Sequence, residues 1–174
     1  MVAWLTAAMV RDKRVLEVGS RDVNGSPRPQ LASLQPAAYV GVDLSEGPGV
    51  DLICSASELV ERLGAASFDV VISTEMLEHC ADWQLAVQQM SAVLRPGGWL
   101  LVTTRSPGFF RHEHPDDHWR FRIEDFERIF AGWEEPRIES DAQAPGVFFL
   151  GRRPPEPAAL PALRQIAVGA SPPA

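Results

Sequence analysis

The stretch Val15-Leu-Glu-Val-Gly-Ser-Arg-Asp-Val-Asn-Gly25 constrains the fold more than any other part of the chain. Val15, Leu16 and Val18 form a short branched run of the kind found in strands buried on both faces. Gly19 stands where that run must break, and a glycine there lets the backbone turn sharply and approach a ligand closely. A second apolar run, Tyr39-Val-Gly-Val-Asp43, ends in a carboxylate about 24 residues after the turn, close to the spacing at which nucleotide-type folds hold ribose hydroxyls. Two strand ends, a glycine turn and an acid together read as a nucleoside site.

Strand and helix then alternate. Residues 38–44 read as the second strand, 50–54 as the third, and 57–64 as a helix capped by Ser55 or Ser57 and ended by Gly64. Residues 68–73 read as strand four, with a short helical turn at 74–79. Asp82 can cap a helix over 83–94, in which Leu85, Met90, Val93 and Leu94 recur at helical spacing. Pro96-Gly97-Gly98 stops it before strand five at 99–104. Between the first two strands, Pro27 and Pro29 confine any helix to residues 30–34. This order implies a parallel sheet with right-handed crossovers, whose ligands bind at the carboxyl ends of the strands.

A long loop at 106–122, a helix at 124–130 and a hairpin of 137–141 with 147–152 close the domain. Residues 1–152 are therefore expected to form one domain. Residues 153–174, where Pro dominates, read as a flexible tail in which 158–168 makes at most a weak helix. Residues 1–10 lack a basic lead and run into Arg11-Asp-Lys-Arg14, so they read as a short lead-in helix rather than a signal segment.

The chain of 174 residues, 45% hydrophobic and 22% charged, suits a single domain with a full core. A net charge of −7, with 16 scattered basic residues, argues against a nucleic-acid or anionic-membrane partner. No stretch approaches the roughly 18 consecutive apolar residues of a bilayer span. Cys54 and Cys80 are too few for a disulfide framework, so free thiols and a cytoplasmic location are expected. Nothing in the pattern assigns an oligomeric state.

Four motifs in this order resemble the class I S-adenosylmethionine-dependent methyltransferases over roughly residues 12–152. They are Val15-Leu-Glu-Val-Gly19, Val40-Gly-Val-Asp43, residues 68–79 ending Glu75-Met-Leu-Glu-His79, and Leu94-Arg-Pro-Gly-Gly-Trp-Leu-Leu-Val102. The resemblance implies an α/β fold: a Rossmann-like, seven-stranded, mostly parallel sheet with helices on both faces and an antiparallel C-terminal hairpin strand. It implies S-adenosyl-L-methionine as cofactor and S-adenosyl-L-homocysteine as product. Glu17, Gly19, Ser20 and Arg21 match the first motif, Asp43 the acid that bonds the ribose, and Leu44 the residue beside the adenine. Thr74, Glu75 and Met76 line the other side of the cofactor. Two positions depart from the pattern. Arg21 replaces a second glycine, so either Gly25 supplies the flexibility or Arg21 pairs with the methionine carboxylate. Ser55-Ala56 stands where an acid often meets the adenine.

Methyl transfer to a hydroxyl needs a group to take its proton. His112, with His114 nearby on the loop after strand five, is the candidate general base, and His79 either joins it or braces the strand-four turn. The acceptor is then a small molecule with an oxygen nucleophile. Histidines at 112, 114 and 118 do not have the spacing of a compact helical pair, so no metal is assigned. Trp119 and Phe121 read as lid packing, and Arg120 as a binder of an anionic group. Two other readings remain open: a non-catalytic scaffold that keeps the fold, and a nicotinamide-dependent reductase. Against the latter, residues 19–24 lack the Gly-x-Gly-x-x-Gly spacing that brings a pyrophosphate to a helix start.

Overall fold

The computed structural model describes residues 2–112 and 116–162. Seven strands lie in the order β3-β2-β1-β4-β5-β7-β6. They are β1 (Arg14–Val18), β2 (Ala38–Asp43), β3 (Leu52–Ile53), β4 (Phe68–Thr74), β5 (Leu94–Arg105), β6 (Glu134–Ser140) and β7 (Gly146–Arg152). β1 to β5 pair in parallel, and β7 inserts antiparallel between β5 and β6. The strand order reverses between β1 and β4, which makes their carboxyl ends the natural ligand crevice.

Side chains that alternate along the strands feed two cores. Val15, Val70, Ile72 and Leu101 pack on one face with Val10 of helix α1 (Ala7–Val10) and Leu31 of α2 (Arg28–Ala32). Leu16, Val18, Val71, Leu100 and Val102 pack on the other face. Leu59 of α3 (Leu59–Leu63), Met90 of α4 (Trp83–Val93) and Phe126 of α5 (Ile123–Ile129) join them there. Phe149 of β7 stacks on Phe130, with ring centroids 3.7 Å apart, and fastens α5 to the sheet. No described helix is long and apolar enough to cross a membrane.

Several boundaries differ from the sequence reading for local reasons. α2 begins at Arg28 rather than residue 30, because Pro29 falls in the first turn, where its missing N–H would have had no partner. Neither Ser55 nor Ser57 caps α3: their hydroxyls bond each other at 2.8 Å, and Glu58 takes the cap position. Asp82 does cap α4, accepting from the Leu85 amide at 2.9 Å. Pro96-Gly97-Gly98 lies within β5 rather than before it, since Leu94 already pairs with Phe68 and the strand bulges before Val70 and Trp99 meet. Residues 158–162 are not helical. Leu160 packs on the larger core, and Gln84 donates to the Pro161 carbonyl at 2.9 Å, so this part of the tail lies against the domain. The remainder of the expected helix and tail, 163–174, lies outside the described residues.

Candidate functional site

The first half of the crevice is built where β1 and β2 end. Gly19 adopts φ +78°, and a Cβ there would sit 2.6 Å from Met76 Cγ, so both the turn and the neighbour require glycine. The contact brings the ends of β1 and β4 together. The amides of Gly19 and Ser20 both donate to the Val42 carbonyl, at 2.9 and 3.0 Å, tying the turn to β2. Asp43, at the end of β2, accepts from the Arg21 amide at 3.2 Å on one oxygen and the Ser45 amide at 3.3 Å on the other. Each carboxylate oxygen has capacity for a further bond. Leu44 beside it is 64% exposed, an apolar surface without cover.

The sequence-predicted donor residues divide. Gly19, Asp43, Leu44 and Met76 converge on one edge of the sheet. Ser20 is buried, and its side chain lies against Gly41 rather than opening outward. The Arg21 guanidinium reaches Ser45 Oγ at 3.3 Å, and its stem lies over Gly47. Gly25, at φ +114°, closes a small turn on Asp22. The Ser55 hydroxyl is spent on Ser57.

Glu17 is buried within β1. Tyr39, the only tyrosine of the chain, donates to Glu17 Oε2 at 2.7 Å. Burial outweighs this bond and raises the Glu17 carboxyl to about 7. Arg28 lies over the Tyr39 ring, 4.7 Å from its centroid, and pairs with Asp51, which also accepts from the Gly41 amide at 2.7 Å. Sequence reasoning missed Tyr39, Arg28 and Asp51. A lone tyrosine inside an apolar strand, two residues before the partner position of Glu17, was the available signal.

The second half of the crevice is built from the turn after β4 and the loop after β5. Glu75 follows Thr74 with φ +54°, a backbone state costly for a residue with a side chain. Its carboxylate pairs with Arg105 and accepts from Thr103 Oγ1 at 2.8 Å. One turn on, the side chain of Glu78 is wholly buried. Its Oε2 accepts from Thr104 Oγ1 at 2.7 Å, and Oε1 has no hydrogen-bond partner among the described residues. Burial, aided by the neighbouring Glu75 charge, pushes Glu78 up to about 8.

Of the three histidines read as catalytic, His79 and His112 meet edge to face, with ring centroids 4.7 Å apart. His114 lies outside the described residues. His112 Nε2 is 3.9 Å from Glu78 Oε1, and its Nδ1 is 3.4 Å from Asp117 Oδ2. Burial and the neighbouring His79 lower its pKa. His79 Nδ1 bonds the Asp116 carbonyl, which pins the loop to the turn.

Arg120 corrects its sequence reading. It is buried and forks onto Asp117, with Nη2 to Oδ2 at 2.6 Å, and donates to the carbonyls of Trp119 and Phe110 at 2.7 and 3.0 Å. Its two Nη groups serve the loop, and its buried Nε has no hydrogen bond among the described residues. Burial works against the Asp117 carboxylate, but Arg120 and the His112 amide outweigh it and hold Asp117 below the usual range. Trp119 donates to the Cys80 carbonyl at 2.7 Å, and Phe121 packs edge-on against Trp83. Both thiols are free, and burial pushes Cys80 up to about 12.

A parallel sheet with one inserted antiparallel strand, and a glycine turn and an acid at its switch point, define a Rossmann-like methyltransferase fold. A family model described as a methyltransferase domain matches residues 3–137, and the chain belongs to this family, within the class I S-adenosylmethionine-dependent methyltransferases. Similar solved structures include a Burkholderia thailandensis 1,6-didemethyltoxoflavin-N1-methyltransferase with bound 1,6-didemethyltoxoflavin and S-adenosylhomocysteine. It has a TM-score of 0.68 and 20% identity over 88% of this chain and 76% of that one. An S-adenosylmethionine-dependent methyltransferase from Mesorhizobium loti has a TM-score of 0.63 and 17% identity over 88% and 98%. Among curated proteins, the ubiquinone biosynthesis O-methyltransferase of Chromobacterium violaceum is 30% identical over 110 residues, 56% of this chain and 46% of that protein. That of Bordetella bronchiseptica is 30% identical over 126 residues, 63% and 51%. The chain thus spans about half the length of the curated relatives it matches.

Proposed function

We propose that the chain binds S-adenosylmethionine at the ends of β1 and β2 and methylates a hydroxyl of a small-molecule acceptor at the ends of β4 and β5. The observation that carries the reading is the meeting of two half-sites across the Gly19–Met76 contact. On one side stand the glycine turn and the anchored Asp43 carboxylate, and on the other the Glu78–His79–His112 cluster. Asp43 would hold the ribose, Leu44 would cover the adenine, and Gly19 would admit the methionine end. S-adenosylmethionine supplies a methyl group already activated on a sulfonium, so placement lowers much of the barrier.

The protein's own part is to orient the acceptor oxygen and draw off its proton. His112 is suited to this as a loop histidine left neutral by its surroundings, with His79 against it. The O-methyltransferase names of the curated relatives favour oxygen over nitrogen as nucleophile. Family membership sets the nicotinamide-dependent alternative aside.

Calorimetric titration with S-adenosylmethionine, S-adenosylhomocysteine and NADH tests the donor half. The two sulfur nucleosides are expected to bind and NADH not. Asp43→Ala should weaken them about a hundredfold or more, since each charge-assisted bond contributes roughly 1.5–3 kcal/mol. Failure of the intact protein to bind either nucleoside would overturn the enzyme reading and favour a scaffold that keeps only the fold.

A further inference from the structure

We infer that Glu78, His79 and His112 form a binding site for a divalent first-row transition cation. One ligand atom from each residue lies within 4.8 Å of the other two, and two segments of chain supply them: buried Glu78 and half-buried His79 from the turn after β4, and His112 from the loop after β5. The donor set of two imidazoles and one carboxylate suits Zn²⁺, Mn²⁺, Fe²⁺ or Co²⁺ rather than the all-oxygen cations.

The surroundings are those of a supported site. Glu78 has one oxygen fixed by Thr104 at 2.7 Å, while the other, wholly buried, faces His112 Nε2 at 3.9 Å with no hydrogen bond among the described residues. A carboxylate oxygen buried in that condition is costly, and a cation 2.0–2.2 Å from it would remove the cost. His79 is backed by an outer acceptor, as ligating histidines generally are, and Asp117 stands near the second imidazole. His79 Nδ1 meets the Asp116 carbonyl, and His112 Nδ1 faces Asp117 Oδ2 at 3.4 Å. Asp117 is itself clamped by buried Arg120 and by the His112 amide at 2.8 Å, so the loop holds the second imidazole in place.

The inference deepens the proposed function and rests on it for its use. Three protein ligands leave positions for an exogenous oxygen, and an acceptor hydroxyl bound there releases its proton to bulk water at lower pH than when free. With the cation bound, the cation takes over the acidification of the acceptor hydroxyl, and His112, the base of the cation-free cluster, becomes its ligand.

Binding of the cation is separable from binding of the cofactor. Chelator-treated protein, without nucleoside, is titrated with Zn²⁺ alone by calorimetry, and the cobalt-substituted protein is followed by its visible absorption. One equivalent is expected to bind, to give a ligand-field spectrum and to raise the melting temperature by mass action. His112→Gln should weaken Zn²⁺ at least tenfold and Glu78→Gln likewise, with S-adenosylhomocysteine affinity unchanged in both. Glu78 is buried and His112 only partly so, which keeps the loop variant informative if the other fails to fold. Absence of stoichiometric binding, or binding indifferent to His112→Gln, would overturn the site. Loss of nucleoside binding alone would instead overturn the proposed function.

Discussion

Glu17 and Glu78 are the same side chain in two settings, one in each half of the cleft. Both are carried inside by apolar segments, and burial pushes both carboxyls up, to about 7 and about 8. Their partners differ. Glu17 is answered by Tyr39, and behind Tyr39 stand Arg28 and Asp51, each with its own bonds. Glu78 is answered on one oxygen by Thr104, and the other oxygen faces the two imidazoles. At the ends of β1 and β2 a buried acid braces the strand that carries the glycine turn. At the ends of β4 and β5 a buried acid keeps one oxygen without a hydrogen bond among the described residues.

The comparison breaks most completely at Arg120. It supplies Asp117 with a forked pair in a buried place, and the removal of one member of such a pair costs about 3–5 kcal/mol. Arg120→Ala should therefore lower the urea-unfolding free energy by that amount and abolish methyl transfer as His112 loses its backing. Distant sites couple by ~0.5 kcal/mol or less, so S-adenosylhomocysteine affinity should stay within about twofold. A comparable loss of both would mean that the two halves are one cooperative unit.

Titration of Glu17 sharpens the donor half. Its folded pKa lies above the ordinary value of 4.5, so the native state holds the proton more tightly than the unfolded chain does. Its contribution to stability is fully present below about pH 4.5 and is lost as pH rises through about 7. The shift corresponds to a loss on the order of 3 kcal/mol across that window. Glu17→Gln should flatten the decline by that much in unfolding curves taken across it. An identical pH slope in the variant would place the titration elsewhere.

The two halves were also unequally legible in the sequence. Gly19 and Asp43 were readable because a strand end, a turn and an acid are local patterns, and local patterns survive folding. The order of strands followed from their alternation with helices. Tyr39 with Glu17, and Asp117 with Arg120, were not readable as pairs, because parallel register and loop closure decide them. The cluster of Glu78, His79 and His112 was hidden for the same reason. Spacing within residues 112–118 suggested no metal set, and the structure instead joins one histidine of that loop to a glutamate and a histidine 33 or more residues earlier. Arg120 was misread because a cation in an aromatic loop looks available until its acceptors are known.

The smallest effect gives the most discriminating test of how Glu17 is held. Tyr39→Phe keeps the ring that packs under Arg28 and removes only the hydroxyl that donates to Glu17. Below the Glu17 pKa the carboxyl is neutral, and loss of an ordinary hydrogen bond costs about 1 kcal/mol. Above about pH 7 the carboxylate is charged and has lost its donor, and the cost should rise to roughly 1.5–3 kcal/mol. The destabilisation of Tyr39→Phe must therefore grow with pH, and in the Glu17→Gln background it must not. A cost independent of pH in both backgrounds would show that the hydroxyl serves packing alone, and the contrast with Glu78 would then rest on geometry without an energetic counterpart.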